Sequence, residues 1–180
     1  MLKKLNGLEL EFVVGDITAQ TDVDAIVNAA NAHLTTGGGV AGAVHRAAGP
    51  RLEEECRPLA PIITGQCVMT GAHNLPNKQV IHCLGPVYGR DEPAAELLSS
   101  CYRNALQLAD ENQLQSIAFP AISTGIFGYP LSEAAQVSLK AVIDTIPRLK
   151  SVNRIRFVLY DLTAREIHEQ ALLRILSLGR

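Results

Sequence analysis

Six short apolar runs rich in Val, Ile and Phe alternate along the chain with longer stretches of helical periodicity, and this alternation constrains the fold most strongly. The runs occupy residues 8–14, 25–27, 67–69, 79–83, 116–119 and 155–160. Helical patterns fall at 40–48, 51–56, 94–112, 132–146 and 164–178, the first closed by Gly49-Pro50. Strands that read as nearly unbroken apolar runs are buried on both sides, so helices must cover both faces of the sheet. The expected architecture is α/β: a three-layer α/β/α sandwich around a mixed, largely parallel sheet. The chain has 180 residues with no repeat, low-complexity tract or linker, so one domain is expected across 1–180.

Two glycine-bearing loops interrupt this pattern just after strand runs. The first runs from Asn28 through Asn31 to Gly37-Gly38-Gly39-Val40-Ala41-Gly42; the second is Ser123-Thr124-Gly125-Ile126-Phe127-Gly128. Glycine lets the backbone approach an anion closely, and free N–H groups at a helix start point at it with partial positive charge. Two such loops on one sheet suit a diphosphate, hence a nucleotide. Ligands of doubly covered sheets bind beyond the carboxyl ends of the strands, where Asp16 also falls. The first loop matches GxGxxG literally, but eight residues separate Asn28 from Gly37, and no acid follows near Ile62 and Ile63. A nicotinamide dehydrogenase is therefore not expected.

Sixteen Lys and Arg against eighteen Asp and Glu give a net charge of −2, no bulk field for nucleic acid or an anionic membrane. Cys56, Cys67, Cys83 and Cys101 form no CxxC pair and no zinc-type spacing with histidine, so no metal is expected and the thiols read as reduced and buried. Met1-Leu2-Lys3-Lys4 opens like an export signal, but Glu9, Glu11 and Asp16 interrupt the apolar run that export requires. No segment reaches about 18 consecutive apolar residues, so neither a membrane span nor a location outside the cytoplasm is expected.

Individual residues keep two readings. Asp16 suits a helix N-cap as well as a ligand carboxylate. Asn28 and Asn31 suit turns as well as a ribose diol, and Tyr160 suits either the core or stacking on a base. His45, one helical turn beyond Ala41 on the same face, reads as structural. His82 reads as a satisfied core histidine and His33 as a loop residue; His73 and His168 receive no role.

Taken in order, Gly15-Asp16-Ile17, Ile26-Val27-Asn28-Ala29-Ala30-Asn31, Gly37-Gly38-Gly39-Val40, His45-Arg46-Ala47-Ala48-Gly49, Ile81-His82 with Gly85-Pro86, and 119–130 (Phe119-Pro120-Ala121-Ile122-Ser123-Thr124-Gly125-Ile126-Phe127-Gly128-Tyr129-Pro130) resemble the macro domain family, closest to its MacroD-type members. The resemblance runs over nearly the whole chain and implies an α/β/α fold that binds ADP-ribose. It implies that Asp16 accepts from the adenine amino group, Ile17 meets the base through its backbone and Tyr160 stacks on it. Gly38, Gly39, Val40 and the loop Ser123, Thr124, Gly125, Ile126, Phe127 wrap the diphosphate and distal ribose. The same resemblance implies that Asn31 holds that ribose and helps position the attacking water, as the catalytic residue.

The implied reaction is hydrolysis of the ester joining the distal ribose to an acyl group, on mono-ADP-ribosylated Asp or Glu of proteins or on O-acetyl-ADP-ribose, without a redox cofactor. A non-catalytic ADP-ribose reader and a phosphatase acting on ADP-ribose 1″-phosphate share the same pocket. One departure bears on the choice. MacroD-type hydrolases carry an aspartate where this chain has Ala41, and a methyl group accepts no proton. Coronavirus-type macro domains also carry Val-Ala-Gly here and count as hydrolases.

Overall fold

In a computed structural model, residues 1–179 are described, and seven strands among them form one sheet. They are β1 (Leu2–Leu5), β2 (Leu8–Val14), β3 (Ala25–Ala29), β4 (Cys67–Gly71), β5 (Gln79–Cys83), β6 (Ser116–Phe119) and β7 (Arg154–Leu159). The spatial order is β1-β2-β7-β6-β3-β5-β4. The five inner strands are parallel, and only the edges β1 and β4 run antiparallel to their neighbours. The carboxyl ends of the inner strands therefore share one rim of the sheet.

Alternation along the strands divides the core into two layers. Ala25 and Val27 of β3 face one apolar cluster with α3 (Ala94–Glu111), α4 (Leu131–Thr145) and α5 (Leu162–Leu178). Ile26 faces the other, with α1 (Gly39–Ala48) and α2 (Pro50–Cys56). The first layer is anchored by rings: Phe157 lies 5.7 Å from Phe12 and 5.8 Å from Phe119, centroid to centroid, and Tyr102 lies 4.9 Å from Phe119. Buried Tyr102 also serves the site, donating through its hydroxyl to Pro120 O (3.2 Å) and accepting from Ile122 N (3.2 Å), which fixes where the second glycine loop leaves β6.

The expected three-layer sandwich is present, and the expected elements match with ends shifted by a few residues. One strand was missing from the expectation. β1 carries Lys3 and Lys4 and reads as polar, yet Asn6 and Gly7 between it and β2 adopt φ of +50° and +86°, the two-residue hairpin turn that Asn-Gly specifies. Cys56, Cys83 and Cys101 are buried free thiols as expected, whereas Cys67 on the edge strand is half-buried. No helix among the described residues is long and apolar enough to cross a membrane.

Candidate functional site

Asp16, Asn31, both glycine loops and Tyr160 all lie at the carboxyl rim of the inner strands. They fall into two groups along that rim, the two ends of the crevice that a ligand of such a sheet would occupy. At the first end Gly15 N donates to Leu159 O (3.1 Å), which brings Asp16, after β2, beside Tyr160, after β7. Asp16 caps the 3-10 turn Ile17–Ala19, its Oδ1 accepting from Thr18 N (2.8 Å) and Thr18 Oγ1 (2.7 Å). The capping reading is thus correct, and Oδ2 accepts no hydrogen bond among the described residues. Tyr160 is 94% exposed, so the core reading of this residue is overturned: β7 ends at Leu159 and the ring projects past the sheet. Ile17 is buried against the α1/α2 layer.

Behind this end sits a charged frame. Gln20 donates from Nε2 to Asp16 O (2.7 Å) and accepts at Oε1 from Arg156 Nη1 (2.9 Å). Arg156 in turn grips Asp22 through two nitrogens (2.7 and 2.9 Å) and Glu11 through Nε (2.6 Å). The hydrogen bond from Arg156 is the main force holding the Asp22 carboxyl down at about 2.

The second end is built by close backbone approach. An ideal Cβ at Gly37 would lie 3.4 Å from Asn31 Nδ2 and 3.8 Å from Ala41 Cβ, so the asparagine amide and the alanine methyl face the same small space. An ideal Cβ at Gly42 would meet Gly37 O at 2.4 Å, and one at Gly85 would meet Ser123 Oγ at 2.2 Å. Both positions need glycine because backbone or a buried side chain occupies the place of a Cβ. Ser123 adopts φ of +67°, and its buried hydroxyl has no partner. Gly38 caps α1 without a side chain, and the N–H groups of Gly39, Val40 and Ala41 find no protein acceptor. Those of Gly125, Ile126 and Phe127 are equally free. Ile126 is 93% exposed, whereas Phe127 packs partly into the α1/α2 layer.

Asn31 is already engaged. Its Oδ1 accepts from Thr35 N (3.1 Å) and Thr35 Oγ1 (3.3 Å), while Nδ2 donates to Thr35 O (2.9 Å). An amide offers two donors and two acceptor sites, so one N–H remains. Asn31 can donate to a ligand or water but has no acceptor capacity left.

Behind this end lies a neutral frame. Asn28 Nδ2 donates to His82 Nδ1 (3.1 Å), and His82 Nε2 pairs with Thr70 Oγ1 (2.9 Å) across three neighbouring strands. Burial, with the nearby His45 a lesser cause, pushes His82 down to about 3, so it stays neutral. The satisfied-core reading of His82 holds. His45 is also buried, which lowers its pKa despite Glu53 nearby.

Some partners escaped the sequence reading: Thr35 on Asn31, Glu53 on Thr36 Oγ1 (3.3 Å), Gln20 under Asp16, and Tyr88, whose N–H donates to Phe127 O (2.8 Å). Gly85 stood among the residues that carry the family resemblance, with no role. No cluster of three or more His, Cys, Asp or Glu among the described residues could hold a metal ion.

Comparison with known proteins agrees with this geometry. Residues 27–138 match the sequence profile of the Macro domain. An O-acetyl-ADP-ribose deacetylase of Salmonella typhimurium is 51% identical over 157 residues, 84% of this chain and 87% of that protein. The solved Oceanobacillus iheyensis macrodomain with ADP superposes with a TM-score of 0.93 at 39% identity, covering 98% of this chain and 96% of that one. The Trypanosoma brucei macrodomain in complex with ADP-ribose superposes at 0.84 with 36% identity, covering 91% and 68%.

Proposed function

The chain belongs to the macro domain family, and from that premise we propose that it binds ADP-ribose and hydrolyses the ester between its distal ribose and an acyl group. The observation that carries this reading is the juxtaposition, across Gly37, of the one free Asn31 N–H with the bare first turn of α1. Six unpartnered N–H groups on two loops suit a diphosphate. Gly38, Gly39 and Val40 approach it from one side, and Ser123, Thr124, Gly125, Ile126 and Phe127 from the other. Asp16 Oδ2 accepts from the adenine amino group, the Ile17 backbone contacts the base, and Tyr160 stacks on it. The substrate class includes O-acetyl-ADP-ribose, as with the Salmonella enzyme, and ADP-ribosylated Asp or Glu of proteins.

Asn31 gives its one free N–H to the distal ribose, which sets the ester beside the attacking water. The water adds to the acyl carbon, the ester C–O bond breaks, and the ribose oxygen leaves as a hydroxyl. Thr35 saturates Asn31 Oδ1 and Ala41 offers only a methyl, so neither takes the water's proton. A phosphate oxygen of the substrate takes it instead and passes it to the departing ribose oxygen. Nothing in this route requires a metal or redox cofactor, and the absence of any long apolar helix among the described residues is compatible with the cytoplasmic site of action we assign.

The test is turnover of O-acetyl-ADP-ribose and of an ADP-ribosyl-glutamate ester, alongside calorimetry with ADP-ribose. Binding with cleavage of either ester supports the reading; a protein that binds but cleaves neither is a reader, the alternative that Ala41 favours. Ala41→Asp sharpens the choice. A carboxylate at this first-turn position is favoured by the helix dipole and faces Asn31. A full general base is worth about 10²–10⁴-fold, so even partial recovery should raise kcat several-fold. An Ala41→Asp protein that binds ADP-ribose and is no faster shows that position 41 does not limit the reaction.

A further inference from the structure

Three of the four free thiols meet where α3 packs on the β4–β5 edge of the sheet. Cys67 of β4 and Cys83 of β5 are register partners in the antiparallel ladder, so their side chains leave the same face side by side. The surrounding hydrogen bonds fix which kind of pair they are. Gly65 N donates to Leu84 O (2.8 Å) and Leu84 N to Gln66 O (3.2 Å), so the bonded position lies one residue beyond the pair. The Cys83 carbonyl turns the other way, toward β3, and accepts from Ala30 N (2.9 Å). Cys67 and Cys83 therefore form a non-hydrogen-bonded pair, the closer of the two kinds, with Cα atoms about 4.5 Å apart. That separation falls within the roughly 4.4–6.8 Å that a disulfide spans.

The sulfurs follow the backbone. Cys67 Sγ donates to Cys101 O (3.3 Å) and Cys83 Sγ to the same oxygen (3.8 Å), so both thiols converge on one atom of α3. Cys101 is engaged elsewhere, its own thiol donating to Leu84 O (3.3 Å). The three also differ in access. Cys83 and Cys101 are fully buried, and burial above all holds both thiols well above their ordinary range. Cys67 is half-buried on the edge strand and is the member through which solvent reaches the cluster.

We propose that Cys67 and Cys83 are a redox-modification site that reacts with hydrogen peroxide and closes into a cross-strand disulfide. The peroxide transfers one oxygen to the Cys67 sulfur, which becomes a sulfenic acid while the rest of the peroxide leaves as water. The Cys83 sulfur then bonds to the Cys67 sulfur, the S–OH bond breaks, and the hydroxide departs with the Cys83 proton as a second water. Two thiols give up two electrons and one peroxide becomes two waters. The register already sets the two residues face to face, so neither strand has to move. The bond staples β4, an edge strand, to β5, whose last residue holds Ala30 beside Asn31. Edges are where a sheet opens locally, and the staple closes that route under oxidising conditions.

The experiment treats the folded wild-type protein and Cys67→Ser with hydrogen peroxide, blocks the remaining thiols in denaturant and maps disulfides in a tryptic digest, which cuts between the two cysteines at Lys78. Wild type should lose two of its four thiols and gain a Cys67–Cys83 link that dithiothreitol reverses. Cys67→Ser should keep its other three thiols under the same treatment. The linked protein should melt roughly 5–10 °C higher than the reduced one, because the bond closes the loop from Cys67 to Cys83 in the unfolded chain. No loss of thiols in wild type, a link to Cys101 or between molecules, oxidation of Cys67 without a disulfide, or equal thiol loss in Cys67→Ser overturns the proposal. So does a linked protein that melts no higher, since the strands must then have been distorted to make the bond. The wild-type map and melting curve decide the matter even where Cys67→Ser fails to fold.

Discussion

The two ends of the crevice are held by frames of opposite character. Behind Asp16 stands an ion cluster in which Gln20 passes the position of the Asp16 carbonyl to Arg156, Asp22 and Glu11. Behind Asn31 stands an uncharged chain, Asn28–His82–Thr70, laid across the sheet. The first frame tolerates water, since Asp22 is half-exposed and Tyr160 wholly so. The second is dry, and its loops touch where a Cβ would stand. An open, charged end suits affinity for a base, where one contact more or less shifts binding by a fixed amount. A closed, neutral end suits chemistry, where position decides the rate.

The largest expected effect separates these roles directly. Asn31→Ala removes the side-chain donor we assign to the reacting end, and loss of a single such donor costs about 10²–10³ in kcat. ADP-ribose affinity should change by less than about threefold, because the diphosphate and base contacts survive. Equal losses in kcat and Kd by turnover and calorimetry would erase the contrast. Asp16→Ala should do the converse. A charged hydrogen bond is worth about 1.5–3 kcal/mol, so Kd should weaken roughly 10–150-fold with saturated kcat nearly intact.

Gly42→Ala tests how closed the second end is. Its methyl group meets Gly37 O, a backbone atom that cannot rotate away, so the first loop must shift. Overpacking of this kind costs about 1–3 kcal/mol of stability. Denaturant titration reads that loss, and kcat should fall more than ADP-ribose affinity. Unchanged stability would mean that the loop is softer than its packing indicates.

Acid should loosen the two frames in sequence. His82 titrates near 6.5 when unfolded and at about 3 when folded. The unfolded chain therefore binds more protons throughout that window, and stability falls as pH drops below 6.5. Between pH 7 and 5.5 His82 alone should remove about 1.3 kcal/mol. His45 and His168, both lowered by burial, add in the same direction. Asp22 is depressed from 3.8 to about 2, so the support it lends is present above 3.8 and disappears only as pH falls through 2. Hydrogen exchange at pH 5.5 should show β3 and β5 opening before the Asp16 turn. Simultaneous opening, or a His82→Gln variant with the wild-type pH slope, would show that the frames are not independent.

Much of the layered fold was legible because the central strands are mostly apolar on both faces and therefore spell themselves out, as 79–83 and 116–119 do. β1 was not, since its exposed lysines mask a strand that only the Asn6-Gly7 turn betrays. At the site, residue type and loop position pointed to the two glycine loops but left Asp16 and Asn31 with two readings each, and only the family resemblance gave them roles. Their partners were hidden for a physical reason. Gln20 meets Arg156 across 136 positions and Glu53 meets Thr36 across 17, contacts that no local period encodes. Asn31's pairing with Thr35 is local but carries no sequence signature of its own, and it changes the asparagine from a group that gives and takes into one that only gives.

The unpartnered N–H groups of Gly39, Val40, Ala41, Gly125, Ile126 and Phe127 have a kinetic consequence. A ligand that enters displaces water from them and breaks no hydrogen bond of the protein, so no loop has to open before the diphosphate seats. Association should then proceed in a single phase, at a rate proportional to ligand concentration up to high occupancy and limited by encounter and orientation. Residence time, set by the base and the ribose once they are gripped, is left to distinguish one ADP-ribosyl ligand from another.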